Sequence, residues 1–394
     1  MKQNLPLIFI IGCLMWGRFF IPVLALFYVA SQVTVEQFSI IFSVFALTTL
    51  LLEVPSGVIA DLLGKKKTLL IARSLYVIEI IILAFYNGFW LFFLAKVISG
   101  VGVSLSSGTN SSLLFDTLKR LGREKEHKKI SGKLYVVTSI ASAVVFLLGG
   151  YLFSLNAKLP ALASLPLIGL GFVLTFFLKE PYLSKRHVSF KNAFSQFREG
   201  IAYYAKKSTL KYISWYTLLM LTPISLMLSF SSLYFEVILI PVSLIGVAAF
   251  LSSLGMAYGG KRAHDLEERF GEKNLLFFQQ IVLFLGLVLM AFTMPYVGYL
   301  FYFFIVVVYG LLRVVLNHAI HIRVPTSHRA TLVSINNLFE NIGMFLLFPV
   351  IGYLAGSYSL QVGIVGLCIL FFIASIILYS FRSYLTAHIP SQHI

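Results

Sequence analysis

Apolar runs of about 20 residues recur along almost the whole of this 394-residue chain, and each is long enough to cross a hydrocarbon layer of about 30 Å as an α-helix. In lipid a backbone must satisfy its own polar groups, so a continuous apolar run is read as helix. Strands would alternate in polarity, and these runs do not. Only 12% of residues are charged, 59% are apolar and the mean hydropathy is +0.90, whereas about a quarter charged is usual for a soluble domain. The chain is therefore expected to be an all-α integral membrane protein. Its spans are predicted near 6–30, 36–60, 68–87, 89–114, 133–155, 158–179, 210–236, 241–260, 274–293, 296–322, 330–355 and 358–383, twelve in all. No cleavable signal peptide is expected, because the first run begins near Pro6, has almost no basic residues before it and is too long.

A net charge of +16 would suit a nucleic-acid partner if it lay on a soluble face, but its distribution argues against one. Arg18, Lys96 and Arg313 fall inside predicted spans and Lys158 in an outer loop. The other cations gather on one side, which the positive-inside rule makes the cytoplasm, with both termini there. Their charge is a topological address and a contact for anionic lipid. Cys13 and Cys368 sit in apolar runs, where cysteine acts as a small hydrophobe. No metal spacing, ATP-binding loop or nucleophile motif is present, so neither a cofactor nor an enzymatic activity is expected.

Halfway along, Phe190, Phe194, Phe197, Ile201 and Tyr204 recur every three or four residues against Lys191, Gln196, Arg198, Lys206 and Lys207. This pattern predicts an amphipathic helix on the inner leaflet, or one packed on the protein's cytoplasmic face. It divides the chain into 1–180, a linker at 181–209, and 210–394. An internal repeat supports the division: Glu268-Arg269-Phe270-Gly271-Glu272-Lys273 aligns with Asp61-Leu62-Leu63-Gly64-Lys65-Lys66, with His264 at the place of Gly57.

The first copy, Gly57-Val58-Ile59-Ala60-Asp61-Leu62-Leu63-Gly64-Lys65-Lys66, resembles the loop between helices 2 and 3 of the major facilitator superfamily of secondary transporters. Glu53-Val54-Pro55-Ser56-Gly57 is similar to its bacterial drug-exporter-like branch. So are Ser107-Gly108 through Phe115-Asp116, Leu118-Lys119, the run Leu121 to Glu126, Asn317, Arg329-Ala330-Thr331 and Ser334. Two positions depart from the pattern. Lys96 stands where the family's fourth helix carries arginine, and Val145-Phe146 replace the Gly-Pro that precedes the glycine pair of antiporters, here Gly149-Gly150. The resemblance implies twelve helices in two pseudo-symmetric six-helix halves, a monomer, and a bacterial inner membrane. It also implies a gate made by Gly57, Asp61, Gly64, Lys65 and Lys66, with Asp116 as partner of Lys65. Asp61 is expected to face the start of helix 11 near Arg329-Ala330, where a helix dipole favours an anion.

Ionisable side chains at mid-bilayer cost about 2.5–3.5 kcal/mol each on the insertion scale, so each is a functional candidate. Arg18, Glu53 and Glu79 reach that depth in the first half. In the second half Arg313, Asn317, Asn336, Asn337, Glu340 and Asn341 do so. With the family's placement of cavity helices, Arg18 then Glu53 mirrors Arg313 then Glu340, a cation and a carboxylate in each half. Either these are structural ion pairs, or at least one glutamate cycles a proton. Glu79 is expected to brace helix 2, and Lys96 to snorkel or to pair with a cavity acid. His318 and His321 are expected to be interfacial. Trp16, Phe19, Trp215 and Tyr216 are aromatic candidates for the cavity.

The leading expectation is a secondary active transporter that moves a small organic molecule by alternating access, coupled to protons, with efflux favoured. An uptake or exchange carrier for an organic anion or zwitterion is the alternative, favoured by the missing Gly-Pro and the three intramembrane cations. A non-transporting sensor is a remote third. The topology is checked by labelling: Ser189→Cys and Gly271→Cys should react only from the cytoplasm and Asn87→Cys only from outside. Labelling of positions 87 and 271 from the same side would refute the twelve-span arrangement.

Overall fold

A computed structural model describes residues 1–181, 198–199, 201–323 and 329–381, without the side chains at 54, 321 and 329–333. The predicted amphipathic helix over 190–204 falls mainly outside the described residues. Among the described residues every regular element is helical. Ten helices among the described residues are long and apolar enough to cross a membrane, and Asn4–Met15, Ile21–Ala30 and Leu159–Thr175 are shorter apolar helices.

In order these are α1 (Asn4–Met15), a 3-10 turn (Ile21–Val23), α2 (Leu24–Ala30), α3 (Val35–Leu63), α4 (Lys65–Phe85), α5 (Phe89–Arg120), α6 (His127–Leu155) and α7 (Leu159–Thr175). There follow α8 (Ser208–Tyr216), a π-helical turn (Thr217–Leu221), α9 (Thr222–Ser229), α10 (Ser231–Val237), α11 (Ile245–Phe270), α12 (Glu272–Ala291), α13 (Gly298–Arg323), α14 (Arg329–Ser357) and α15 (Leu360–Ser380). The contacts group into two compact units. One holds Met1–Phe194 with Val242–Phe250, the other Ser195–Pro241 with Leu251–Ile394.

The first span is not one helix as expected. At Trp16 the ladder tightens: Trp16 and Gly17 donate to Cys13 and Leu14, three residues back, and Arg18 N donates to the Trp16 carbonyl at 2.7 Å. Pro22, at the start of the 3-10 turn, has no N–H to continue an α-helix. The displaced backbone finds other partners, with Phe19 N donating to Ser164 Oγ of α7 at 3.0 Å. The seventh span is interrupted as well, by the π turn at Thr217–Leu221 ahead of Pro223. Such turns widen a helix and often mark functional sites.

Two glycines make the hairpin turns of the repeat. Gly64 between α3 and α4 has φ +90°, and Gly271 between α11 and α12 has φ +74°, values at which a side chain would be strained. Each unit also has an aromatic cluster. In unit 1 Tyr28 packs edge-on to Phe92, ring centres 4.9 Å apart, and on Phe38 and Phe42. In unit 2 Phe235 meets Tyr302 at 4.9 Å, beside Tyr234 and Tyr299.

Gly149 of α6 lies against the break in the first span, where a methyl group would overlap the Phe19 carbonyl oxygen and Pro22 Cγ. Because the first obstacle is backbone, the neighbour cannot rotate away. Gly149→Ala should destabilise the purified protein by about 1–3 kcal/mol, the usual cost of overpacking, read as a lower Tm in thermal denaturation. An unchanged Tm would show that the break tolerates displacement.

Candidate functional site

The hairpin of the first repeat is held by charged side chains of α4, of α5 and of the segment that follows α7. Lys65 Nζ pairs with the Asp116 carboxylate near the end of α5 and donates to the Ser112 carbonyl at 3.1 Å. Lys66 Nζ donates to the Phe176 carbonyl just past α7 at 2.7 Å. The start of α4 is capped by a residue that sequence reading passed over. Glu180 accepts from Lys65 N at 2.9 Å and from Lys66 N at 2.7 Å, a carboxylate on the positive end of a helix dipole. Its one sequence signal is an acid two residues past the end of an apolar run. Gly57 and Asp61 are exposed on α3. The side chains of Arg329 and Ala330, the expected surroundings of Asp61, lie outside the described residues.

The second hairpin repeats this bolt with its charges exchanged. Gly271 is 207 residues after Gly64 (271 − 64), and the same offset carries Lys65 onto Glu272 and Asp116 onto Arg323. Arg323 Nη2 meets Glu272 Oε2 at 2.5 Å, with both side chains mostly buried. Anion and cation have changed places while the two helices they join have kept their roles.

Inside unit 1, Glu79 of α4 is fully buried between two cations. Lys96 Nζ of α5 donates to its Oε1 at 2.9 Å, and Arg18 Nη1 lies 3.6 Å from its Oε2. Arg18, which sequence reading set beside Glu53, lies against Glu79. Glu79 joins α5 to the break in the first span, and Lys96, which pairs with it and does not snorkel, lies over the Phe42 and Phe45 rings of α3. Arg18 also lies over the Tyr76 ring, 4.6 Å from its centre, and the Tyr76 hydroxyl shares a 2.8 Å hydrogen bond with Ser106. Glu53 is half-buried on α3.

Arg73, counted by sequence among the cytoplasmic cations, is a further correction. It is buried in α4, with its guanidinium on Thr175 Oγ1 and on Asn110 Oδ1. Its place inside the predicted span 68–87 was the available signal.

Unit 2 builds a second cluster beside the interrupted span. Glu340 Oε1 of α14 accepts from Arg313 Nη2 of α13 at 2.7 Å and from Ser225 Oγ of α9 at 2.9 Å. Arg313 Nε donates to the Tyr309 hydroxyl at 2.8 Å, which is 3.2 Å from Ser225 Oγ. Sequence reading missed Ser225 and Tyr309, since nothing local distinguishes them from other hydroxyls in apolar runs. The Arg313 side chain is 45% exposed. Asn317 and Asn337 are exposed too, and Asn341 is half-buried. Asn336 points elsewhere, its Oδ1 accepting from Thr217 Oγ1 at 2.9 Å in the π turn.

Of the aromatic candidates, Trp16 and Trp215 are exposed and Phe19 is half-buried. Tyr216 is fully buried, with its hydroxyl on the Leu276 carbonyl at 2.9 Å. It is scaffold, which corrects its assignment to the cavity. His318 Nδ1 is 3.3 Å from Glu267 Oε1, while the side chain of His321 lies outside the described residues.

A broken span, an intramembrane carboxylate paired with a cation in each unit and a repeated glycine hairpin are features of a membrane transporter. The Major Facilitator Superfamily profile matches residues 7–346, and the chain belongs to that family; it is a transporter and not an enzyme. Among solved structures it is similar to a variant of the nucleoside transporter NupG, at 15% identity and a TM-score of 0.79 over 97% of this chain and 99% of that one. It is similar to a bacterial homologue of the human lysosomal transporter Spinster, inward-facing and unoccupied, at 14% identity and TM-score 0.73 over 99% of each chain. The D-xylose-proton symporter gives 12% identity and TM-score 0.74 over 96% of this chain and 98% of that one. At these identities the likeness is one of fold. No curated protein matched in a search by sequence.

The exchanged bolts are separable by charge swap. Asp116→Asn should cost about 1.5–3 kcal/mol, the range for a hydrogen bond to a charged group, and lower Tm. Lys65→Asp with Asp116→Lys should recover most of that loss, as should the swap of Glu272 and Arg323. A double swap no more stable than either single variant would show that position, not pairing, sets the charge.

Proposed function

We propose that this protein is a proton-coupled secondary transporter of the bacterial inner membrane that moves a small organic molecule by alternating access, with efflux as its direction. In this reading it is a monomer with both termini in the cytoplasm and twelve spans in two six-helix halves, 1–180 and 210–394, joined by a linker at 181–209. Efflux is favoured by the resemblance of Glu53-Val54-Pro55-Ser56-Gly57 to the drug-exporter-like branch. Gly57, Asp61, Gly64, Lys65 and Lys66, with Asp116, serve as the gate, and Lys65 and Glu180 hold its turn in shape.

The observation that carries the reading is the exposed polar stripe of Arg313, Asn317 and Asn337 beside Glu340. Glu340 uses one oxygen, Oε1, for both Arg313 and Ser225. Among the described residues its other oxygen has no hydrogen bond and can take a proton. Protonation there removes the charge that holds Arg313, and deprotonation restores it, so occupancy of one site is coupled to the position of a neighbouring helix.

Reconstitution in proteoliposomes tests this. Glu340→Gln should abolish accumulation driven by a pH gradient while leaving gradient-independent exchange intact. A purely structural pair behaves differently: Gln would leave an unpaired arginine, an error of about 3–5 kcal/mol where the pair is well buried, and both fluxes would fall with stability. Glu53→Gln is measured in parallel. Loss of coupling there, with Glu340→Gln still concentrating substrate, would move the proton to Glu53.

A further inference from the structure

We infer that the break in the first span is the receptor for a negatively charged group on the transported molecule, with Arg18 as the residue that binds it. The inference rests on the transporter reading and specifies the substrate as an organic anion, bound through a carboxylate or phosphoryl oxygen.

Charge is the first argument. Two cations face one carboxylate in the interior of unit 1. Lys96 answers Glu79 by a direct 2.9 Å hydrogen bond, so Arg18, 3.6 Å away, is the surplus charge. A surplus charge at this depth is expensive unless a partner of opposite sign arrives.

The second argument is hydrogen bonding. A guanidinium carries five N–H donors in a planar fork suited to paired anionic oxygens. Among the described residues the Arg18 guanidinium has two contacts, the ion pair with Glu79 and the face of the Tyr76 ring. Tyr76 is itself held by Ser106. The fork is therefore fixed in orientation while its donors remain unused.

Access is the third. Glu79 is fully buried, but the Arg18 side chain keeps 16% of its surface, and Trp16, two residues away, is exposed. Irregular backbone at membrane depth occurs where protein covers it or where it lines an aqueous cavity. Unit 2 supplies the contrast. There an arginine, a tyrosine and a glutamate also come together, yet Arg313 spends its donors on Tyr309 and Glu340 and its charge is balanced. The anion preference thus belongs to unit 1.

The test uses the full-length protein in phosphatidylcholine nanodiscs, with benzoate and phenyl phosphate as probes and benzamide as their neutral counterpart. Wild type should bind one of the anions at least tenfold more tightly than benzamide, and which anion does so separates carboxylate from phosphoryl recognition. Arg18→Gln should erase that ratio, and Arg18→Lys should keep part of it. Lys96→Gln should also lower the ratio, because Arg18 becomes the sole counter-charge of Glu79. If Arg18→Gln does not fold, Arg18→Lys and Lys96→Gln decide. Equal binding of anions and amide by wild type, or a ratio untouched by these variants, overturns the inference. Gradient-driven flux of a neutral compound that ignores Arg18→Gln would overturn it and leave the transporter reading standing. Retained anion preference without any flux would sink the transporter reading alone.

Discussion

A chain in lipid has no solvent to complete its backbone hydrogen bonds, and the architecture follows from that deficit. Wherever a helix departs from its own ladder, protein must supply the missing partners. The break after Met15 is accordingly lined by α6 and α7: Ser164 receives the Phe19 N–H, and Gly149 makes room for the Phe19 carbonyl. The π turn at Thr217–Leu221 sits beside Asn336, which takes the Thr217 hydroxyl. Arg18 lies in the first of these departures, and Ser225, a partner of Glu340, follows the second.

Electrostatics within each unit follows the same economy. A buried ion costs several kcal/mol in desolvation, so those present are paired or hydrogen-bonded. Glu79 is tied to Lys96, Glu340 to Arg313, and Arg73 to two neutral oxygens. Pairing restricts what these groups can do. A carboxylate whose bonds all fall on one oxygen keeps the other for chemistry, and an arginine stacked on a ring keeps its donors for a ligand. The two clusters share residue types but differ in which group is left unsaturated.

The repeated hairpin separates geometry from charge. Gly64 and Gly271 both turn with positive φ, and the helices that follow both begin with a residue paired to the end of the next helix. Lysine meets aspartate in one copy and glutamate meets arginine in the other. An ion pair is symmetric under exchange of its members as far as its mutual attraction goes, so the bolt survives the swap. The glycine does not exchange, because positive φ excludes side chains for steric reasons.

The amino-acid order by itself determined where the chain is apolar, how long each run is and where it turns, because hydropathy and backbone sterics are local properties. The hairpin of Gly57 to Lys66, its second copy at Gly271 and the set of candidate ions, from Arg18 and Glu79 to Arg313 and Glu340, are legible for that reason. What only the tertiary structure decided is which of these meet. Glu79 and Glu53 lie at similar depth on successive helices, and a rotation of one helix about its axis selects the partner of Arg18. The interruption of the first span is equally nonlocal, since Pro22 permits it but Ser164 and Gly149 stabilise it. Partnership depends on helix rotation and close packing, which are set by all the neighbours at once and leave no local trace in any one run.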